Sequence, residues 1–539
     1  MKKSTLLLLS LLSGLLFAMS WPMRGFPGFI FFAFIPLLYL EDELQRRKKD
    51  FHIYHALILS FPGFFLWNVL TTWWIYNSSG FGVSMAVFFN SLFMSLTFMF
   101  YHWIKKRTMG AGSAHFMLAL FWISFEYLHM RWDLTWSWLN LGNVFENYPR
   151  WIQWYEYTGI FGGALWIFAV NILFYNALTH FLVKPLAMKK VAIPAGAGLL
   201  VFFLPLIFSY VMFFQYEEKS SPVKVVVVQP NIDPYSEQYS LAPDEVLRKI
   251  FKLARQKLDT TTDFLIAPES AIQEDIWENA PASSLTMYAL RDSLQSWPKT
   301  ALVVGASTYL RFMDPSLISE TARWSKRMNS WYDAYNSALF MNSEGRYQMY
   351  HKSKLVVGVE RMPFPKYLKF LEKYALDLGG TIGSLGISKE RTAFDQDKKR
   401  ITTAAAICYE SVYGEFFSGF VKNGAKLMFI ITNDGWWGNT AGHRQHLGFA
   451  SLRAIETRRC IARAANTGIS CFVNQRGEMS QETKYWEAAV IGGSLNANDK
   501  LTFYTEHGDF LGREALAISA LLLVVGLFFS KRFQGLRNS

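Results

Sequence analysis

Two patterns of apolar residues divide the chain. From the N-terminus to about residue 214 the apolar positions come in long unbroken runs: Met1–Ser20, then roughly Gly28 to Leu40, Ile53 to Trp74, Gly82 to Ile104, Ser113 to Tyr127, Gly159 to Leu182 and Val191 to Phe214. One more, Ala515 to Phe529, lies near the C-terminus. A bilayer crossing takes ~20 such residues. The first run, with Lys2 and Lys3 ahead of it and small residues after it, reads equally as a signal peptide. Counted as a span, it brings the total to about eight. The second and last runs are short, and the second suits a re-entrant segment.

Between these runs lies the other pattern. After Ser221 and Pro222, short β-branched runs alternate with stretches of helical spacing. Strands are predicted at VKVVVVQPNI, Asp263–Glu269, Thr300–Tyr309, Asn336–Asn342, Tyr347–Val357, Ile401–Cys408, Leu427–Thr432 and Ser470–Asn474. Helices are predicted at Asp244–Leu258, Ser284–Trp297, Glu415–Lys422 and His443–Ala465. Strands that are apolar throughout and interleaved with helices imply a layered α/β domain with buried sheets. The expected division is a membrane domain over 1–220, an extramembrane domain over 221–511, and a last span with its tail over 512–539.

The loops set the orientation. Alternate loops hold fifteen basic residues: Lys2, Lys3, Arg46, Arg47, Lys48, Lys49, Lys105, Lys106, Arg107, Lys184, Lys189, Lys190, Lys531, Arg532 and Arg537. The intervening short loops hold only Arg24, Arg131 and Arg150. The positive-inside rule therefore puts both termini in the cytoplasm and the α/β domain outside. The same loops, less Glu41, Asp42, Glu43 and Asp50, account for nearly all of the formal charge of +12. The rest of the chain is close to neutral, which excludes a basic nucleic-acid face. Aromatics at 17% and a mean hydropathy of +0.12 suit a chain partly in lipid and partly globular. Trp73, Trp74, Trp132, Trp136, Trp138, Trp151, Trp154 and Tyr155 gather at the outer ends of the spans, as an interfacial belt does. The loop from Arg131 to Tyr157 could also shape a lipid entrance. Glu126 is a carboxyl at membrane depth that needs a partner or a role.

The chemistry concentrates in AAAICYESVYGE, Ala404 to Glu415, where an apolar run ends in a cysteine. Such a cysteine reads first as a small buried hydrophobe. Two other strand ends change that reading. APES, Ala267 to Ser270, supplies Glu269, and YHKSK, Tyr350 to Lys354, supplies Lys352. A thiol becomes a nucleophile when a base takes its proton or a cation stabilises its thiolate. Each partner has a plainer reading, a helix-capping acid for Glu269 and a solvated basic patch for Lys352. Glu360 and Glu410 are further acids near these ends. His443 and His446 have HxxH spacing without an evident third ligand, so no metal is expected. Ser270 and Ser411 are possible hydroxyl nucleophiles without an obvious His and Asp around them. Cys460 and Cys471 read as structural, and three widely spaced cysteines make no disulfide framework.

A Cys–Glu–Lys set on three strand ends resembles the nitrilase superfamily, the carbon–nitrogen hydrolases. With the spans, it is similar to the membrane-embedded branch, the apolipoprotein N-acyltransferases. The stretches that carry the resemblance are VVVVQPNI, LIAPES, YHKSKLVVGVE, ICYES, and TNDGWWG followed by HRQHLGFASLRAIETRRCIARAANTG. It implies an α-β-β-α sandwich with Glu269 as general base, Lys352 as oxyanion stabiliser and Cys408 as nucleophile. It also implies supporting or substrate-binding roles for Glu360, Tyr409 and Glu410, and for Tyr239 on a membrane-proximal arm, Asp233 to Leu241, that also carries Tyr235. Ala267 stands where the family has Trp, and VVGVE replaces VPFGE, departures that bear on substrate fit. The implied reaction is ping-pong acyl transfer, without metal or organic cofactor, in a bacterial inner membrane. A phospholipid, typically phosphatidylethanolamine, is the donor, and the amine of a diacylglyceryl-cysteine on an apolipoprotein is the acceptor. The alternatives are a membrane-anchored nitrilase-type amidase and a non-catalytic membrane scaffold.

Overall fold

The computed structural model describes residues 2–23, 25–108, 114–183, 187–364, 384–395 and 401–528. Of the basic loop residues, Arg24, Lys184, Lys531, Arg532 and Arg537 lie outside these, as does the end of the last apolar run. The chain divides into two units, Met1–Gln215 with His507–Ser539, and Tyr216–Glu506.

Among the described residues of the first unit six helices are long and apolar enough to cross a membrane. They are Lys3–Ser20 (α1), Tyr54–Thr72 (α4) with a trailing 3-10 turn to Asn77, Gly80–Thr108 (α5), Tyr155–Leu182 (α7), Met188–Gln215 (α8) and the C-terminal helix Phe510–Phe528. The other two expected spans are short. Phe116–His129 (α6) has 14 residues. The run from Gly28 to Leu40 is split into Ile30–Ala33 (α2) and Ile35–Arg46 (α3). Pro36 explains the split: it lacks an N–H, and its ring crowds the carbonyl four residues back. The freed backbone groups are bridged by one side chain from α7. Phe34 N donates to Asn171 Oδ1 at 2.9 Å, and Asn171 Nδ2 donates to Ile30 O at 2.9 Å. Broken helices are tolerated in membranes where a neighbour supplies such bonds.

Glu41, Asp42 and Lys105, expected in connecting loops, are instead buried. The helices α3 and α5 run on past their apolar stretches and pair these charges with each other. Lys105 Nζ donates to Glu41 and, at 2.7 Å, to Asp42 Oδ1. His102 Nδ1 lies 3.0 Å from Glu41 Oε1, and Tyr175 OH donates to Asp42 Oδ2 at 2.5 Å. Glu126 also has its partners: Trp122 Nε1 and the backbone N of Leu141 donate to its Oε1 at 3.0 and 2.8 Å.

The second unit is a four-layer sandwich. Its first sheet has eight strands in the order β13-β1-β2-β4-β6-β5, with β3 on β4 and β7 on β6. They are Pro222–Gln229 (β1), Phe264–Ile266 (β2), Ile272–Trp277 (β3), Ala301–Arg311 (β4), Arg323–Ser325 (β5), Ser330–Met341 (β6), Tyr347–His351 (β7) and Ala489–Asn496 (β13). The second sheet has five, in the order β12-β11-β10-β9-β8: Thr403–Ile407 (β8), Leu427–Thr432 (β9), Ile461–Ala465 (β10), Cys471–Val473 (β11) and Met479–Ser480 (β12). Pro243–Ala254 (α9) and Leu285–Leu294 (α10) pack on the first sheet, where Leu247, Ile250, Phe251 and Leu290 join Val226, Leu265 and Leu302 in one core. Gly414–Lys422 (α11) and Ala441–Thr457 (α12) cover the second. Between the sheets the Phe264 and Phe429 rings meet at 5.3 Å. Strands buried on both faces have no alternation to show, hence their continuous apolar runs.

The expected helix from His443 to Ala465 is two elements. It stops at Arg458, which takes a left-handed φ of 48°, and the chain then forms β10, parallel to β9. IARAA is wholly buried, so its small residues gave no strand alternation to read.

Lys105→Met leaves two carboxylates buried without their ammonium. Breaking a buried pair costs about 3–5 kcal/mol, so this variant should unfold at markedly lower temperature than the parent chain in detergent. Lys49→Met, at an exposed position, should stay within about 0.5 kcal/mol. Equal melting of the two variants would contradict the buried pairing.

Candidate active site

Three strand ends deliver the predicted groups. Glu269 follows β2, Lys352 follows β7 and Cys408 follows β8. All three are buried, with Glu269 6%, Lys352 1% and Cys408 7% exposed.

Lys352 is the hub. Its Nζ donates to Glu269 Oε1 at 2.9 Å and to Glu360 Oε1 at 2.8 Å. Asn336 Nδ2, from β6, donates to the same two oxygens at 2.8 and 3.0 Å. The second oxygen of Glu269 accepts from Asn433 N at 3.0 Å, and that of Glu360 from Val356 N at 2.8 Å. A carboxylate offers about four lone-pair sites. Three on Glu269 are engaged by these donors, which leaves one for a further proton. Burial alone would lower the Lys352 ammonium, but the carboxylates of Glu269 and Glu360 overcome it and hold the group well above the usual lysine range. Burial, and then the Glu269 charge, push the Cys408 thiol well above its ordinary value, with Lys352 acting against them. At rest the thiol is therefore protonated and needs a base.

The backbone is shaped for this meeting. Gly305 on β4 lies directly under Glu269: a Cβ there would sit 2.5 Å from Glu269 Cα and 2.4 Å from Ser270 N. Only glycine lets the two strands approach so closely. The VVGVE departure still brings Glu360 to Lys352, because the turn closes on itself. Glu360 N donates to Val356 O at 2.9 Å, and Gly358 takes a φ of 79°. Ala267 lies wholly inside the first sheet's core.

Glu410 ties the ends of β7 and β8 together. Tyr350 OH and Ser353 N donate to its Oε1 at 2.5 and 2.6 Å, and Ile407 N to its Oε2 at 2.7 Å. Burial pushes its carboxyl up to about 7 against those bonds. Tyr409 is buried, its ring edge-on to Tyr413 at 5.2 Å. Tyr239 is exposed on its segment, and so is Tyr235, whose OH donates to Trp436 O at 3.0 Å. The residue of that segment that reaches the site is Gln238. It is buried, accepts from Asn433 Nδ2 at 2.6 Å, and donates to Ser270 O at 3.3 Å. Gln238, Asn336 and Asn433 carried no signal in the sequence beyond their nearness to the motifs.

Ser411 corrects the sequence reading: a His and an Asp do surround it. Its Oγ lies 3.1 Å from His446 Nε2, and His446 Nδ1 lies 2.9 Å from Asp434 Oδ1. His443 turns elsewhere, its ring stacked on Tyr485 at 4.2 Å and its Nε2 3.2 Å from Asn439 Oδ1. Burial lowers His443 to about 4. Cys460 and Cys471 are buried and unbridged, each thiol pushed up to about 12 by burial.

Comparison with known proteins matches both halves of the chain. Residues 13–173 match the apolipoprotein N-acyltransferase N-terminal domain, and residues 224–499 match the carbon-nitrogen hydrolase family. An apolipoprotein N-acyltransferase of Chlorobaculum tepidum is 30% identical over 527 residues, 96% of each chain. Those of Geobacter metallireducens and Thermotoga maritima are each 26% identical, over 97% and 99% of this chain and 95% of their own. A relative of this identity along nearly the whole length, with the two domain matches in the same order, shows that the chain belongs to the apolipoprotein N-acyltransferase family.

Proposed function

We propose that the chain transfers an acyl group from a membrane phospholipid to the N-terminal amine of a diacylglyceryl-cysteine on an apolipoprotein, through a thioester on Cys408. The observation that carries this reading is the convergence of Cys408, Glu269 and Lys352 in one buried site. Phosphatidylethanolamine is the proposed donor. The distribution of basic residues supports an inner-membrane protein with both termini in the cytoplasm and the α/β unit outside.

In the first half-reaction Glu269 takes the thiol proton as Sγ attacks the ester carbonyl. The negative charge that develops on the carbonyl oxygen is stabilised by the Lys352 ammonium. Collapse breaks the ester C–O bond, and the lysophospholipid oxygen takes the proton back from Glu269. A thioester remains. In the second half-reaction the acceptor amine attacks that thioester and yields a proton to Glu269. Collapse now breaks the C–S bond, leaving the amide and a thiolate that recovers the proton. Glu360 fixes the direction of the ammonium throughout.

The proton transfer from Cys408 to Glu269 relocates one negative charge within the site and creates no new one. That matters in a medium where uncompensated charge is expensive. It also means that the resting thiol is a poor nucleophile toward any reagent that cannot exploit Glu269.

Transfer is tested with purified chain, phosphatidylethanolamine and a diacylated lipopeptide, reading the triacylated product by mass. Cys408→Ala should give none. Glu269→Gln should fall by about 10²–10⁴-fold, the usual worth of a positioned base, and Lys352→Met by about 10²–10³-fold, as for loss of an oxyanion donor. Free fatty acid in place of triacylated peptide would favour the hydrolase. A Cys408→Ala variant that still makes product would overturn the reading.

The raised thiol makes a separate prediction. Alkylation of Cys408 by iodoacetamide should climb between about pH 6 and pH 9 without levelling, because ionisation lies above the ordinary thiol range. A plateau below about pH 7 would contradict it.

A further inference from the structure

Cys408 holds a φ of 50°, the left-handed region that side chains disfavour. For an L-residue this conformation is unfavourable, and it persists only where the surroundings over-determine it. The determinants converge on the Cys408 carbonyl. Ser411 Oγ donates to it at 2.8 Å, and His446 Nε2 lies 3.0 Å from it. A carbonyl oxygen can only accept, so the ring donates there.

His446 is itself held from behind. Its Nδ1 faces Asp434 Oδ1 at 2.9 Å, and the Trp437 ring meets it edge-on at 5.6 Å. Asp434 accepts from Arg463 Nη2 at 2.6 Å and from Thr432 Oγ1 at 2.7 Å. Burial would raise the Asp434 carboxyl, but Arg463 and His446 hold it well below the usual carboxylate range. Ser411, Asp434, His446 and Arg463 are each at most 1% exposed.

Ser411, His446 and Asp434 have the connectivity of a Ser–His–Asp hydrolase triad. Two facts argue against that use. The Ser411 hydroxyl is committed to the Cys408 carbonyl, and the residue is almost wholly buried. We propose that His446, oriented by Asp434, is a positioning residue for the nucleophile: it clamps the Cys408 carbonyl, fixes the left-handed turn, and so aims Sγ at the substrate carbonyl. Ser411 reinforces the clamp and does not carry an acyl group. This inference rests on the reading of Cys408 as the acyl carrier.

The test is single-turnover acylation of the full chain in detergent by a phospholipid with a fluorescent acyl tail, normalised to folded protein, followed by peptide mapping of the label. The variants are His446→Leu, His446→Gln and Ser411→Ala. Glutamine can place an N–H donor where Nε2 stands. A misplacement of about 1 Å can cost 10²-fold, so His446→Leu should slow acylation at saturating lipid by about that factor. The lipid concentration for half-maximal rate should move less than about three-fold. His446→Gln should recover to within about ten-fold of the parent, and Ser411→Ala should lose less than about ten-fold, with label on Cys408 in every variant. The proposal is overturned if His446→Leu acylates at the parental rate, if His446→Gln is as slow as His446→Leu, or if label appears on Ser411. A parent that takes no label would defeat the reading of Cys408 instead. The positioning role is then decided by iodoacetamide: slower modification of Cys408 in His446→Leu, restored in His446→Gln, supports it, and equal rates overturn it.

Discussion

The site depends on one ammonium held between two carboxylates. Lys352 binds Glu269 and Glu360 at 2.9 and 2.8 Å with almost no solvent contact. Burying three charges costs several kcal/mol per ion before their attraction is counted. That cost is offset by the bonds these groups make, with Asn336 bridging the two acids and backbone N–H groups of Asn433 and Val356 capping them. In the proposed mechanism this makes Glu269 a base whose spare lone pair, and Lys352 a cation whose direction, are set before any substrate arrives. Catalytic electrostatics of this kind need no reorganisation at the moment of reaction.

The same constraint organises the membrane unit. There, too, charged and polar groups removed from water are paired across helices. Asn171 replaces a missing helical hydrogen bond at the Pro36 break, and Lys105 joins Glu41 and Asp42. Helices that would otherwise meet only through apolar side chains are thereby given specific partners. Such polar ties, more than apolar area, specify helix pairing in lipid, where apolar burial gives little advantage.

Much of this was legible in the sequence where local pattern and chemistry coincide. The strands before Glu269 and Cys408 announce themselves because an apolar run stops at a reactive residue; β7, YQMYH, is no such run, and Lys352 stood out only through its motif. The membrane helices announce themselves by length; among the described residues six are full-length, and the other two expected spans are the run broken at Pro36 and the 14-residue α6. What could not be read depends on residues far apart in the chain. His446 and Asp434 have no local sign of their meeting with Ser411. The role of Gln238 was hidden beside the more conspicuous Tyr239. Glu126 is satisfied partly by a backbone N–H, which leaves no signature. The strand β10 was lost because IARAA, buried on every side, continues the helix before it without a change of composition.

The central claim is that Cys408 carries the acyl group. Intact-mass analysis of the purified chain after incubation with phosphatidylethanolamine, beside Cys408→Ala, tests it most directly. The account predicts a gain of one acyl chain on the parent alone, removed by hydroxylamine as a thioester is. Correctly folded parent with no mass gain, or the same gain on Cys408→Ala, would contradict it.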